Sequence, residues 1–182
     1  MKWIVLAIIV VLIAIVIITY NGLIRSRNQV ENAWSQIDVQ LKRRIDLIPN
    51  LVETVKGYAA HEKETLDAVI KARNAAMAAP ADPHAQAAAD TQMTGALRQL
   101  FALSEAYPDL KANQNFLALQ EELSATEGRV AYARQFYNDS VLNYNNKLQA
   151  FPTVIFANIM KFTKREYFEA DEAAREVPKI GF

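Results

Sequence analysis

The chain contains no cysteine, which removes structural disulfides, thiol nucleophiles and thiolate zinc ribbons together and fits either side of a membrane. Glycine and proline are scarce, at 5 and 6 residues, and no glycine-rich phosphate loop is present. Neither charge dominates: 20 Lys and Arg balance 20 Asp and Glu, so no net basic field exists to hold nucleic acid. No strand-length alternation bounded by turn residues occurs, and no serine stands in a G-x-S-x-G context. The 2 histidines are His61 and His84. His61 has only Glu64 at helical spacing and His84 only Asp82 in a proline loop, so both are expected to be solvated and not metal ligands. No catalytic, cofactor-binding or metal-ligating constellation is expected, which disfavours an enzyme.

What the chain does have begins with a long apolar run. From Trp3 to Tyr20 there is no charge, and Thr19 is the only polar side chain. These 18 residues rise ~27 Å as a helix, close to the ~30 Å of a bilayer's hydrocarbon core. Thirteen of them are Ile, Leu or Val, which favours insertion by roughly 4–8 kcal/mol. Trp3 and Tyr20 stand at the two ends, where amphipathic rings suit the headgroup region. No small-x-small cleavage site follows, so residues 1–22 are read as a retained signal anchor and residues 23–182 as the domain behind it. Arg25 and Arg27 outweigh Lys2, a slight bias that puts the domain in the cytoplasm of a single-pass protein.

The domain is rich in Ala, Glu, Gln, Lys and Leu, and its apolar positions recur at helical spacing, so the fold class is all-α. Val30, Trp34, Ile37, Leu41, Ile45, Ile48, Val52, Val55, Ala59, Leu66 and Ile70 form one stripe, which predicts a single rod from about Leu23 to Ala79, kinked at Pro49. The rod ends in a loop at Ala79-Pro80-Ala81-Asp82-Pro83. A shorter helix carries Met93, Leu97, Leu100, Ser104 and Tyr107 on one face and stops at Pro108. A third places Phe116, Leu123, Val130, Tyr137, Tyr144 and Phe151 at strict intervals of seven, the mark of shallow bundle or coiled-coil packing. An acidic segment, Glu166 to Glu176, is expected to form a last short helix.

Three polar features are read first as solvated surface. Ser124-Ala125-Thr126-Glu127 matches a capping box by accident, and Glu121, Glu122 and Glu127 belong to a wet helix face. The cluster Asn138, Asp139, Asn143, Asn145 and Asn146 is unusual in a helix; solvent exposure and a polar contact surface for a partner are its two readings. Two further surfaces are candidates for contact. The rod is longer than its partner helix, which would leave Trp34, Ile37 and Leu41 uncovered for a second copy, unless the tail after Pro152 folds back over them. Phe156 with Lys161, Lys164 and Arg165 has the layout of an interfacial anchor meeting anionic headgroups, or else caps the core.

The segments ENAWSQIDVQLKRRIDLIPNLVETVKGYAAHE, LSEAYPDLKANQNFLALQEELSATEGRVAYARQFYNDSVLNYN and EYFEADEAAREVPKI, with the N-terminal span, resemble the LemA family of bacterial membrane proteins. The resemblance covers nearly the whole chain in order. It implies an N-terminal membrane helix carrying an up-and-down four-helix bundle, with a short N-terminus outside the cytoplasm. It also implies a bacterial cell membrane, where some relatives organise membranes, including magnetosome membranes. It supplies no catalytic residues. Together the readings favour a membrane-anchored scaffold that self-associates and organises or remodels membrane. The partners expected are the bilayer, further copies and other membrane proteins. The alternative is a docking adaptor for a membrane protease or signalling complex.

Overall fold

The computed structural model describes residues 2–169, and among them every regular element is a helix. The first, α1 (Lys2–Lys56), is unbroken over 55 residues, ~83 Å at 1.5 Å per residue. Pro49 lies inside it on the exposed side. On that side the proline ring meets no packed neighbour and water can satisfy a carbonyl that proline leaves unbonded, so the helix can continue. The N-terminal third is apolar all round and unburied, long and apolar enough to cross a membrane. From Leu23 onward the same helix becomes one-sided. Leu23, Val30, Ala33, Ile37, Leu41, Ile48, Leu51 and Val55 turn inward at steps of three, four or seven, the stripe a packed helix needs.

The predicted rod to Ala79 is corrected at its far end. The chain turns at residues 57–62, and α2 (Lys63–Ala78) comes back along α1, bringing Ala76 and Met77 beside Asp38 and Asp46. Gly57, a poor helix former, follows the last helical residue. The apolar period survives the reversal because Ala59 in the turn and Leu66 beyond it face the same core as Val55. Periodicity alone cannot tell a straight helix from a hairpin whose two arms keep phase.

α3 (Pro83–Ser104) runs outward again. Asp82 caps it by accepting from the Ala85 N–H at 2.9 Å, with Pro83 preset in the first turn. A one-turn helix, α4 (Pro108–Lys111), carries the chain across the far end. α5 (Gln114–Gln149) then runs back beside α1, opened by Asn113, whose side chain accepts from the Phe116 N–H at 3.0 Å and donates to the Tyr58 hydroxyl at 2.9 Å. The last helix, α6 (Thr153–Ile159), lies beside the end of the span. The seven-residue repeat of α5 is buried from Phe116 through Tyr144; its last member, Phe151, lies beyond the helix and is 82% exposed. Burying each large apolar side chain of that stripe contributes ~1.5–3 kcal/mol.

The interior divides into two clusters. The distal one joins α1 beyond Ile48 to α2, α3, α4 and the start of α5. The proximal one, next to the span, joins Leu23 to Leu41 of α1 with Val130 to Leu148 of α5, Ala157 of α6 and Phe168.

Candidate functional site at the span–bundle junction

Arg44 stands in the α1 core stripe between Leu41 and Ile48, at the boundary of the two clusters. Its side chain is 3% exposed, and it bonds Asp90 of α3 at 2.7 Å, with Glu127 of α5 at 4.0 Å. Burial pushes the Asp90 carboxyl above its ordinary value of 3.8, outweighing the pull of the Arg44 guanidinium in the other direction. A polar residue in a core stripe fixes which residues face one another, at a cost in stability. The sequence reading had put Ile45 in this stripe; the helix turns Arg44 inward and leaves Ile45 half-buried.

The chain's own tail closes the junction. After α6, residues 162–169 are extended and lie along α5. Asn145 accepts from the Arg165 N–H and donates to the Arg165 carbonyl, both at 2.9 Å. Two turns earlier, Asn138 accepts from the Phe168 N–H at 2.8 Å and donates to its carbonyl at 3.4 Å. A side-chain amide carries the same donor and acceptor as a peptide, so each asparagine stands in for a neighbouring strand. The spacing fits: seven helical residues rise ~10.5 Å, and three extended residues span ~10 Å. Between the clamps, the Tyr137 hydroxyl donates to the Glu166 carbonyl at 2.9 Å. Burial raises the Tyr137 pKa above its ordinary 10.0, so it stays a neutral donor. The strap delivers Phe168, 2% exposed, onto Trp34 with ring centres 6.2 Å apart, and Trp34 meets Tyr137 at 5.5 Å. His84 also reaches the strap, its Nδ1 being 3.0 Å from the Glu169 carbonyl oxygen.

These positions sort the residues singled out in the sequence. Ile37 and Leu41 are buried, and Trp34 is half-buried beneath Phe168. The uncovered stripe expected from unequal helix lengths therefore does not exist, because the tail folds back, and Ile37 and Leu41 offer no surface to a second copy. Asn138 and Asn145 are neither idle nor free for a partner. Trp3 and Tyr20 lie exposed at the ends of the apolar span, and Arg25 is exposed beyond it. Arg27 is drawn inward, its guanidinium 5.9 Å from the Phe162 ring centre, and Phe162 also meets Tyr20 at 6.3 Å. Phe156 is half-buried, while Lys161, Lys164 and Arg165 are exposed, Arg165 reaching Glu31 at 3.2 Å. The short helix expected from Glu166 is absent over residues 166–169, which carry no regular structure; its remainder lies outside the described residues. The fold-back of the tail after Pro152 was one of the two sequence readings; what sequence reasoning missed is how it is clamped, because the signal, two asparagines seven apart opposite an apolar tail, looks like solvated surface until the tail is placed.

An apolar helix, the one fit to span a membrane among the described residues, that continues as the core helix of an up-and-down bundle, with a strapped junction, defines a membrane-associated helical protein. The chain belongs to the LemA family, whose model matches residues 33–182. It is 28% identical to Protein LemA of Metamycoplasma hominis, over 85% of this chain and 71% of that one. It is 25% identical to Magnetosome protein MamQ 2 of Paramagnetospirillum magneticum, over 94% of this chain and 72% of that one. Magnetosome protein MamQ of Magnetospirillum gryphiswaldense is 24% identical over the same shares, 94% and 72%.

Proposed function

We propose that this chain is a single-pass scaffold of a bacterial cell membrane that self-associates and so organises or remodels the bilayer around it. The observation that carries this reading is the continuity of α1, one helix from Lys2 to Lys56 in which the candidate span and the bundle core share a backbone. No linker intervenes, so the orientation of the bundle is tied to that of the span. Copies held in one plane meet at a raised effective concentration. A lateral contact has a face available on the outer side of α1 and α5. Val39 and Tyr132, 59% and 72% exposed, border a cleft there of about 590 Å³. Exposed apolar surface of this kind marks interfaces. Arg25 and Arg27 against Lys2 support a cytoplasmic bundle. The magnetosome naming of two relatives agrees with work on membranes.

The test is purification in mild detergent followed by native mass spectrometry. Homo-oligomers that Val39→Glu with Tyr132→Glu reduce in mass, at unchanged helical content, support the scaffold. A stoichiometric second protein would favour the adaptor, and a monomer in both detergent and nanodiscs would end the self-association reading.

A further inference from the structure

Where α6 gives way to the strap, three cations meet at the end of the span. Arg27, Lys161 and Arg165 line a cleft of about 450 Å³ together with Tyr20, Ile24 and Tyr144. Among the described residues Glu31 is the one counter-charge in contact, at 3.2 Å from Arg165 and 3.8 Å from Arg27, which leaves the cleft they form net positive. The Arg27 Nε is buried with no hydrogen-bond partner among the described residues, and Lys161 makes no ion pair among them. Tyr20 closes the apolar span, so the cleft lies at the level where headgroups begin.

The backbone gives a second sign. α6 ends in a Schellman motif: the Phe162 N–H donates to the Ala157 carbonyl at 3.0 Å and the Lys161 N–H to that of Asn158 at 3.3 Å. The residue this motif needs in the left-handed region is Lys161, with φ 57°. Glycine is the residue that such a position favours. A lysine held there, over a cationic cleft, points to a use for its charge.

Beside the cleft, Ile155 and Ile159 lie one turn apart on α6 and Phe151 stands just before its start, and they are 48%, 72% and 82% exposed. Nothing among the described residues covers them, and α6 neighbours the end of a helix fit to span a bilayer. An apolar helical face with cations next to it is how a short helix lies in the interface.

We infer that the cleft formed by Arg27, Lys161 and Arg165 binds the phosphate headgroup of an anionic phospholipid, while Phe151, Ile155 and Ile159 dip into the acyl boundary beside it. This rests on the membrane placement of the preceding reading but not on self-association.

The test uses the full chain in mild detergent, offered phosphatidylglycerol or phosphatidylcholine, with retained lipid counted by native mass spectrometry. Wild type should retain phosphatidylglycerol in preference. Lys161→Gly separates binding from folding: relief of the left-handed strain should raise the Tm by a few degrees, while the preference falls roughly fivefold, as for one cation lost near the surface. Arg27→Gln added to it should lower the preference by a similar factor again. A second arm offers inorganic phosphate in equal amount, which should leave bound lipid in place. An unchanged preference in Lys161→Gly would overturn the inference, and so would displacement by inorganic phosphate, which would make this a soluble-anion site. The same spectra report subunit number, so failure here and failure of the scaffold reading are told apart.

Discussion

The distal and proximal halves of the bundle are closed in different ways. In the distal half, α2 and α3 pack on α1 and α5, and the core is shut mainly by helix faces, with Leu51, Val55, Val69, Leu100 and Phe116 at its centre. In the proximal half, α1 and α5 are closed on one side by an extended strap clamped at Asn138 and Asn145, which brings Phe168 to the core. The first solution rests on non-directional apolar burial. The second needs directional hydrogen bonds, since an extended segment has no internal ladder to satisfy its peptides. The half next to the membrane therefore depends on a few directional clamps, and local opening is expected to begin in that half.

The largest expected effect falls on the seam between the halves. Arg44→Ala should cost ~3–5 kcal/mol in urea unfolding, because it leaves Asp90 buried without its partner. Replacing Arg44 by Met and Asp90 by Leu together should recover most of that loss. Phe168→Ala should come next, near the low end of ~3–5 kcal/mol, because a rim can partly collapse. Its effect should stay proximal. In a Trp3→Phe background the Trp34 emission should shift to the red, while amide exchange of Leu100 and Val55 stays slow. A smaller loss, ~1–2 kcal/mol for each clamp, is expected of Asn138→Ala and Asn145→Ala. The clamps lie about two turns apart on α5 and hold one strap, so the double variant should depart from additivity.

The smallest effect is in pH. Asp90 titrates above 3.8 in the folded chain, so the folded state holds this proton more tightly than the unfolded one. Stability from this group is complete below 3.8 and is lost as pH rises through the raised value. Asp90→Asn should therefore flatten the stability curve over that window, measured by unfolding at stepped pH. An unchanged slope would mean that Asp90 does not carry it.

The two halves were unequally legible in the sequence. The apolar span, the all-α class, the interval of seven from Phe116 to Tyr144 and the loop at Ala79 to Pro83 all follow from periodicity and turn chemistry, which are local. The turn after Lys56 was not legible, because Ala59 and Leu66 keep phase across it. Arg44 was passed over because an arginine in an apolar stripe reads as the stripe's edge; only Asp90, 46 residues away, shows that it points inward. The tail's fold-back was legible as an alternative, but its clamps were invisible for the same reason, their partners lying 20 and 30 residues apart. Of the junction, Tyr20, Arg27, Lys161 and Arg165 were marked one by one, but their convergence on a single cleft depends on the strap's path.

Amide hydrogen exchange of Arg165 and Phe168, in the full chain in phospholipid nanodiscs, tests the clamped strap most directly. Both N–H groups should exchange slowly, near the rates of the proximal core at Val130 and Tyr144. Asn145→Ala should release Arg165 first. Exchange of Arg165 and Phe168 in the wild-type chain at the rate of a free peptide would contradict the account.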